Sequence, residues 1–150
     1  MMTAIRKAMP ADADTLCDLY ANHLTPNPPD EPQDMAGWRE KIARFAENPQ
    51  YYLLVGEADG HVVSSVTLIV IENLTHNMRP YAIIENVVTH ADFRGRHYAS
   101  QLMDKASGIA RGMGCYKIML MTGSKLEGIL NFYENCGFNK HDKTGFIKWL

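Results

Sequence analysis

A basic turn with one glycine lies near the middle of the chain, between a predicted strand and a predicted helix. It reads Arg94-Gly95-Arg96-His97, and no Ser, Thr, Asp or Asn occupies the immediate N-cap position of the helix. The first backbone N–H groups of a helix have no partner inside it, and the helix dipole is positive there, so such a turn can hold a phosphate. The alternative is a solvated loop with its arginines in water. The order of strand, glycine turn and helix favours the anion pocket.

A carboxylate interrupts the apolar strand that precedes this turn. Alternation places Glu85 on the face of Val87, and Asn86 on the face of Val88. A partly buried carboxylate holds its proton more tightly than an exposed one, which would make Glu85 a proton acceptor. The alternative is an ion pair with Arg79, and the residues alone do not separate the two.

A tyrosine near the C-terminus is the third candidate. Tyr133 shares an apolar helical stripe with Leu126, Ile129 and Leu130, a pattern that is typical of a core residue. A phenol at the edge of a cleft can instead donate a proton to a leaving group. The spacing alone does not decide between a structural and a chemical role.

The elements that position these groups follow from hydrophobic periodicity and from turn residues. In chain order we predict a strand over 3–7, a helix after Asp12, a helix carrying Trp38, Ile42 and Phe45, a hairpin of strands 51–55 and 62–71, a strand over 81–89, a helix ending at Gly112 or Gly114, a strand over 116–121, a helix closed by Gly137, and one or two strands within 138–150. A proline-rich acidic loop over 26–34 and an irregular loop over 73–80 complete the order. This order predicts an α/β (α+β) fold with a mixed sheet.

Length, charge and cysteine usage narrow the classes of protein. At 150 residues and 46% hydrophobic, the chain suits one domain over 1–150. A formal net charge of −2 predicts no nucleic-acid or membrane partner, and no stretch has the length of a transmembrane or signal segment. The P-loop and dinucleotide-binding glycine motifs are both absent. Cys17, Cys115 and Cys136 are widely separated, which predicts reduced thiols in the cytoplasm and no metal site.

Three motifs stand out in the second half of the chain. They are Glu85-Asn86-Val87-Val88-Thr89, Arg94-Gly95-Arg96-His97-Tyr98-Ala99 and Phe132-Tyr133-Glu134-Asn135-Cys136-Gly137-Phe138. Their combination resembles the GNAT superfamily of acetyl-CoA-dependent N-acetyltransferases. Within it, the last motif and the run from Gly114 to Ile118 look most like glucosamine 6-phosphate N-acetyltransferases. Where those enzymes have an acidic run this chain has Met121-Thr122-Gly123-Ser124-Lys125, so the acceptor is left open. His97 stands at a glycine position of the family's diphosphate turn, where its side chain would crowd the diphosphate or contact it directly.

The resemblance implies a mixed, mostly antiparallel central sheet with a splayed parallel strand pair, flanked by about four helices. It implies acetyl-CoA as co-substrate, no metal, and direct attack by the primary amine of a small molecule. Glu85, through a water, would be the base, and Tyr133 would protonate the departing CoA thiolate. Contacts with the cofactor are implied at Val87, Val88, Thr89, Arg94, Gly95, Arg96, His97, Tyr98, Ala99, Ser100, Thr122, Asn131, Phe132 and Tyr133.

The acceptor side is less defined by the motifs. Arg79 and Glu85 are the predicted acceptor contacts, within the reach of the loops over 26–34 and 73–80. Acidic residues of the first loop would attract a cationic amine, whereas Arg79 and His76 would favour a phosphate or carboxylate, and all of them are also typical of solvated loops. The resemblance further implies a homodimer paired through C-terminal strands. A non-catalytic acyl-CoA-binding or sensing module is the alternative function, and His97 is its main support.

Overall fold

The structure, a computed structural model, describes residues 1–24 and 30–150. Within them, five strands form one sheet in the order β1-β2-β3-β4-β5. The strands are β1 (Ala4–Lys7), β2 (Tyr51–Ala58), β3 (His61–Ile71), β4 (Tyr81–Thr89) and β5 (Ile118–Leu120). The helices are α1 (Ala13–Leu19), α2 (Met35–Glu47), the short α3 (Thr75–Met78), α4 (Tyr98–Gly112) and α5 (Glu127–Asn135). The predicted mixed α/β fold is confirmed.

The sheet is antiparallel except at one edge, where β4 and β5 run parallel. β2 and β3 form the predicted hairpin, and Asp59 and Gly60 in its turn have φ of 52° and 78°, as a two-residue turn between twisted strands requires. The pairing of β4 with β5 ends at Ile84 and Leu120, although β4 continues to Thr89. The two parallel strands therefore separate beyond Ile84, which is the predicted splay.

A β-bulge lies in β4 where this separation begins. Thr67 of β3 is opposite Glu85, whereas Ser65 is opposite Val88. β4 therefore has one more residue than β3 in this interval. Asn86, inside the bulge, takes the left-handed backbone conformation with φ of 53°, which asparagine adopts more readily than most residues.

The bulge corrects the predicted faces of β4. Val87 packs on the same side as Ile84, against the core that α4 covers, and Val88 packs on the opposite side. The predicted sharing of faces between Glu85 and Val87, and between Ile84 and Val88, is therefore wrong. Strict alternation fails here because an extra residue reverses the direction of every side chain that follows it.

Two apolar cores lie on opposite faces of the sheet. Leu53 and Leu54, neighbours on β2, belong to different cores, as the period of a strand requires. One face is covered by a helical stripe of α4 comprising Leu102, Met103, Ala106 and Ala110. The other is covered by α1 and α2 through Leu16, Leu19 and Ile42. Both sets recur at helical spacing, which explains why these segments fold as amphipathic helices.

The C-terminal prediction is wrong, because residues 139–150 contain no strand. A strand needs a hydrogen-bonding neighbour along its length, and this segment is not among the pairings of the described sheet. β5 is also shorter than the predicted 116–121, although backbone bonds of 3.0 Å from Tyr116 N to Pro80 O and from Ala82 N to Lys117 O continue the contact with β4.

The two predicted loops differ in outcome. Of the loop over 26–34, residues 26–29 lie outside the described residues, and its last residue, Asp34, caps α2 by accepting a 3.0 Å bond from Gly37 N. The loop over 73–80 contains α3, in which His76 and Asn77 have left-handed dihedrals. In the described part of the chain, no helix combines the length and the apolar character needed to cross a bilayer.

Candidate active site

The basic turn lies between β4 and α4, as the sequence predicts. Gly95 and His97 both have left-handed backbones, with φ of 73° and 63°. His97 is the N-cap residue of α4, and its side chain makes no capping hydrogen bond. A residue with a Cβ loses about 1–2 kcal/mol in this conformation, and a glycine does not. His97 therefore occupies the backbone conformation that a glycine favours.

A cavity of about 210 Å³ opens at this turn. Eight of its nine described lining residues are predicted cofactor contacts, and Phe93 is the ninth. The lining is Thr89, Phe93, Arg94, Gly95, His97, Tyr98, Ala99, Ser100 and Phe132. Because the positive end of the α4 dipole lies here, the cavity suits an anionic group.

The other predicted cofactor contacts do not line this cavity. They are Val87, Val88, Arg96, Thr122, Asn131 and Tyr133. The Arg96 guanidinium lies over the Phe93 ring, 5.2 Å from its centroid, and Thr122 Oγ1 accepts a 3.1 Å bond from Ser124 N. Half of this group, Val87, Val88 and Thr122, lies along β4 and after β5, and Asn131 and Tyr133 lie on α5.

The guanidinium of Arg94 bonds to two backbone carbonyls. Its Nε donates to Thr89 O at 3.2 Å, and its Nη2 donates to His23 O at 3.1 Å. His23 belongs to the π-helical turn Tyr20–Leu24 that follows α1. Arg94 therefore links the end of β4 to that turn, and its remaining N–H donors and its charge stay available to an anion.

Glu85 lies at the start of the strand separation. It is exposed and stands in cross-strand register with Thr67, which in turn stands opposite Leu53. Directly opposed residues of antiparallel strands share a face. The carboxylate therefore faces the side of the sheet that α1 and α2 cover.

Arg79 does not reach that side. Its Nε donates to Gly114 O at 3.1 Å, and its Nη2 donates to Cys115 O at 3.2 Å. The ring of His76 stacks on Tyr116, with centroids 3.8 Å apart. Arg79 and His76, which were expected to favour an anionic acceptor, thus contact the loop before β5, and Arg79 donates to carbonyl oxygens there rather than to Glu85.

A second cavity, of about 440 Å³, lies between α2 and the sheet, on the side that Glu85 faces. Its lining includes Thr67, Asn86 and four aromatic residues that sequence reasoning treated as core or did not single out. They are Tyr20, Trp38, Phe45 and Tyr51. The only sequence signal was the aromatic stripe of α2, and such a stripe is equally typical of a closed core.

The phenol of Tyr20 reaches deep into this region. Burial raises its pKa, and contacts with the hydroxyls of Ser65 and Thr67 partly offset the increase. The pKa of Tyr51 is also raised, first by burial and then by the negative charge of Glu85. The carboxylate is therefore close enough to act electrostatically on the aromatic wall of the cavity.

Tyr133 is half-buried on α5, against the core under α4. Its ring makes edge contacts with Phe132 and Phe138, at centroid distances of 5.1 Å and 6.4 Å. Burial raises the pKa of its phenol, and the nearby Cys136 and Glu85 raise it further. A phenol is protonated near neutral pH even at its ordinary pKa of about 10, so the raised pKa keeps the proton in place without making its donation easier.

Comparison with known proteins identifies the family of this chain. The sequence model described as the acetyltransferase (GNAT) family matches residues 13–138. A glucosamine 6-phosphate N-acetyltransferase of Trypanosoma brucei brucei is 29% identical over 121 residues, which are 81% of this chain and 79% of that protein. The range that the family model matches includes every predicted site residue.

Solved structures agree on the fold. One from Agrobacterium tumefaciens, provisionally described as an acetyltransferase, has a TM-score of 0.88 and 38% identity, over 99% of this chain and 100% of that one. The glucosamine-6-phosphate N-acetyltransferase of Arabidopsis thaliana has a TM-score of 0.82, over 97% of each chain. At 19% identity, the second comparison concerns the fold alone.

Proposed function

We propose that this chain, which belongs to the acetyltransferase (GNAT) family, transfers the acetyl group of acetyl-CoA to the primary amine of a small molecule. The observation that carries the proposal is the separation of β4 from β5 beyond Ile84 and Leu120. The cavity at the basic turn lies near one end of this opening, and the aromatic cavity lies on the side that Glu85 faces. A long cofactor and a small amine could thus meet at one strand.

The cofactor diphosphate would bind at the turn from Arg94 to Ala99. The positive end of α4 and the free donors of Arg94 would neutralise it. The pantetheine arm would run along Val87 to Thr89, and Thr122 would flank it from the segment after β5. Backbone groups freed by the strand separation supply the hydrogen bonds that such an arm requires.

The reaction removes two protons from the ammonium nitrogen and delivers one to the sulfur of CoA. An alkyl ammonium has a pKa of about 10, so the acceptor must lose a proton, and Glu85 takes it through a water. The free amine then attacks the thioester carbonyl to give a tetrahedral intermediate. As the intermediate collapses, its nitrogen loses the second proton to water and the carbon–sulfur bond breaks. Tyr133 donates its proton to the departing thiolate and is reprotonated from water, so that one proton is released overall.

A thiol-release assay with acetyl-CoA and a panel of primary amines tests this function. The curated relative is named for glucosamine 6-phosphate, so that amine belongs in the panel. Release that depends on an amine supports the enzyme. A thermal shift with acetyl-CoA but no release with any amine would instead identify the non-catalytic acyl-CoA-binding module.

The homodimer is also part of the proposal. Phe146, Ile147 and Trp149 are 89%, 61% and 85% exposed, and β5 ends the sheet with an edge that an added strand can pair with. Gly145 lies against the Met121 side chain, just past that edge. The C-terminal segment 139–150 is thus placed to pair with a second copy and to bury its apolar residues there.

Light scattering checks the homodimer. Replacing Phe146 and Trp149 by serine should convert a dimer to a monomer, whereas Leu74→Ser, at a similarly exposed site before α3, should leave the mass unchanged. A monomeric parent chain would exclude the pairing. The proposed compartment is the cytoplasm, in keeping with the free thiols of the three cysteines.

A further inference from the structure

The larger cavity has an unusual wall for a site that would receive a phosphorylated sugar. Two aromatic pairs form it, and each pair joins different elements. Tyr20 and Trp38 lie with ring centroids 6.0 Å apart, and Phe45 and Tyr51 stack at 3.8 Å. Aromatic faces offer broad apolar contact with little loss of side-chain freedom. The walls are thus suited to a flat or branched carbon skeleton.

Besides the phenols of Tyr20 and Tyr51 and the exposed Gln33, polar groups line this cavity at two places. Thr67 and Asn86 line the end at β3 and β4, beside Glu85. Asp34 and Lys41 are exposed at the other end, and one Asp34 oxygen is used in capping α2. An acceptor whose amine points to Glu85 would therefore place its carbon skeleton between the aromatic pairs.

The charge count argues against a phosphate in this cavity. Lys41 is the one basic side chain among its described lining residues, and residues 25–29 contain no ionisable side chain in the sequence. Arg79 and His76, the other candidates, contact the loop before β5 and are not among these lining residues. Phosphate recognition relies on clustered arginines, helix N-termini or several donors. A single exposed lysine beside an exposed aspartate provides much weaker recognition of a phosphate than these groups do.

From these observations we infer that the acceptor is a primary amine carried on an aromatic or branched aliphatic skeleton without phosphate. The inference rests on the proposed function, since it assigns the acceptor of that same site. Burying such a skeleton against Trp38, Phe45 and Tyr51 removes apolar surface from water. Sugar hydroxyls placed against the rings of Trp38 and Phe45 would lose water without gaining partners from those rings. The ammonium gains the Glu85 carboxylate and nearby aromatic faces.

Calorimetry measures acceptor binding independently of acetyl transfer. Titrating 2-phenylethylamine and glucosamine 6-phosphate into the protein, with and without CoA, should show the arylalkylamine binding about tenfold or more tightly. Trp38→Leu keeps an apolar side chain at α2 but removes the ring, and it should weaken arylalkylamine binding about tenfold. Tyr116→Leu, which removes a ring outside both cavities, is the matched control and should leave binding unchanged.

The outcomes distinguish this inference from the proposed function. Tighter binding of glucosamine 6-phosphate, no binding of either amine, or equal arylalkylamine affinity in Trp38→Leu would overturn the inference. Thiol release with the same amines is measured separately. Arylalkylamine binding without thiol release would support the acceptor class and contradict the acetyl transfer. Thiol release with glucosamine 6-phosphate alone would support the acetyl transfer and contradict the acceptor class.

Discussion

Arg94 donates through Nη2 to the backbone carbonyl of His23, 3.1 Å away. This bond joins the basic turn before α4 to the turn that follows α1, across 71 residues of sequence. The same guanidinium bonds to Thr89 O. The residue expected to supply charge to a diphosphate also fixes the position of the turn that would hold it.

Replacing Arg94 by lysine tests this double role. Lysine keeps the charge but lacks the planar fork that reaches two carbonyls, so we expect CoA affinity to fall about tenfold, since losing bonded partners costs about 1–3 kcal/mol. Calorimetry with CoA measures it. Arg96→Lys is the control, because Arg96 contacts a ring rather than carbonyls. Equal losses of CoA affinity in the two variants would mean that the two carbonyl bonds of Arg94 contribute nothing to CoA binding.

Replacing His97 by glycine should stabilise the protein slightly. Relief of the left-handed backbone contributes about 1–2 kcal/mol, and the greater freedom of glycine in the unfolded chain offsets about 0.5–1 kcal/mol. The midpoint of thermal unfolding should rise by about 1–4 °C. If the His97 side chain crowds the diphosphate, CoA should also bind more tightly in calorimetry. Weaker binding would point to a direct contact from the imidazole.

The Tyr133 phenol can be tested by removing its hydroxyl. Tyr133→Phe keeps the edge contacts of the ring, so we expect acetyl-CoA binding to change little while kcat falls about 100-fold. Steady-state kinetics and calorimetry together measure the two effects. Tyr116→Phe, outside both cavities, should behave as the parent does. Unchanged turnover in Tyr133→Phe would remove this assignment.

The Glu85 carboxylate can be tested by an isosteric amide. Glu85→Gln keeps size and hydrogen-bonding shape but cannot accept the amine proton, so we expect kcat/KM at neutral pH to fall about 100-fold or more. The pH–rate profile should also shift to higher pH, because turnover then depends on deprotonation of the ammonium in solution. Glu72→Gln provides a carboxylate control outside the described site. A profile identical to that of the parent would contradict the role of Glu85 as the base.

Asp12 makes stability depend on pH. Burial alone would raise its pKa, but hydrogen bonds from Arg6 and from Met9 N outweigh burial and hold the pKa below its ordinary value. A carboxyl with a lowered folded pKa stabilises above its unfolded pKa of about 3.9, and this contribution is lost as the pH falls through the folded value.

Asp12→Asn should therefore lower the free energy of unfolding by about 1.5–3 kcal/mol at pH 7. The difference from the parent should shrink as the pH drops below about 4. Urea unfolding at pH 7 and pH 3 measures both. Asp14→Asn, at an exposed carboxylate with a 3.9 Å ion pair to Arg39, is the control. A difference that is constant with pH would show that shape, rather than charge, matters at Asp12.

Local pattern predicted much of this fold and failed at identifiable places. Strand β4 was predicted at its observed bounds, because its run is long and its ends carry clear turn signals. The face on which Val87 lies was not predicted correctly, because the pattern of a strand does not indicate where an extra residue is inserted. The strands within 138–150 were also wrong, since strand propensity in Phe146 and Ile147 does not supply a neighbouring strand.

The candidate site divides in the same way. The basic turn is local in sequence, so its cavity could be anticipated from Arg94 to Ser100. The aromatic cavity brings together Tyr20, Trp38 and Tyr51 from three separate elements, and only the packed fold shows whether such rings fill a core or line a space. Arg79 was predicted from its charge, but its carbonyl partners depend on the path of the loop before β5.

The left-handed Asn86 has a consequence for how this chain can change over generations. One additional residue sets which half of β4 supplies each face, so deleting a single residue there would exchange inside for outside from Val87 to Thr89 at once. Point substitutions in this strand can be accepted one at a time, whereas a one-residue deletion would damage the core and both cavities together. Length at this position is therefore under tighter constraint than side-chain identity.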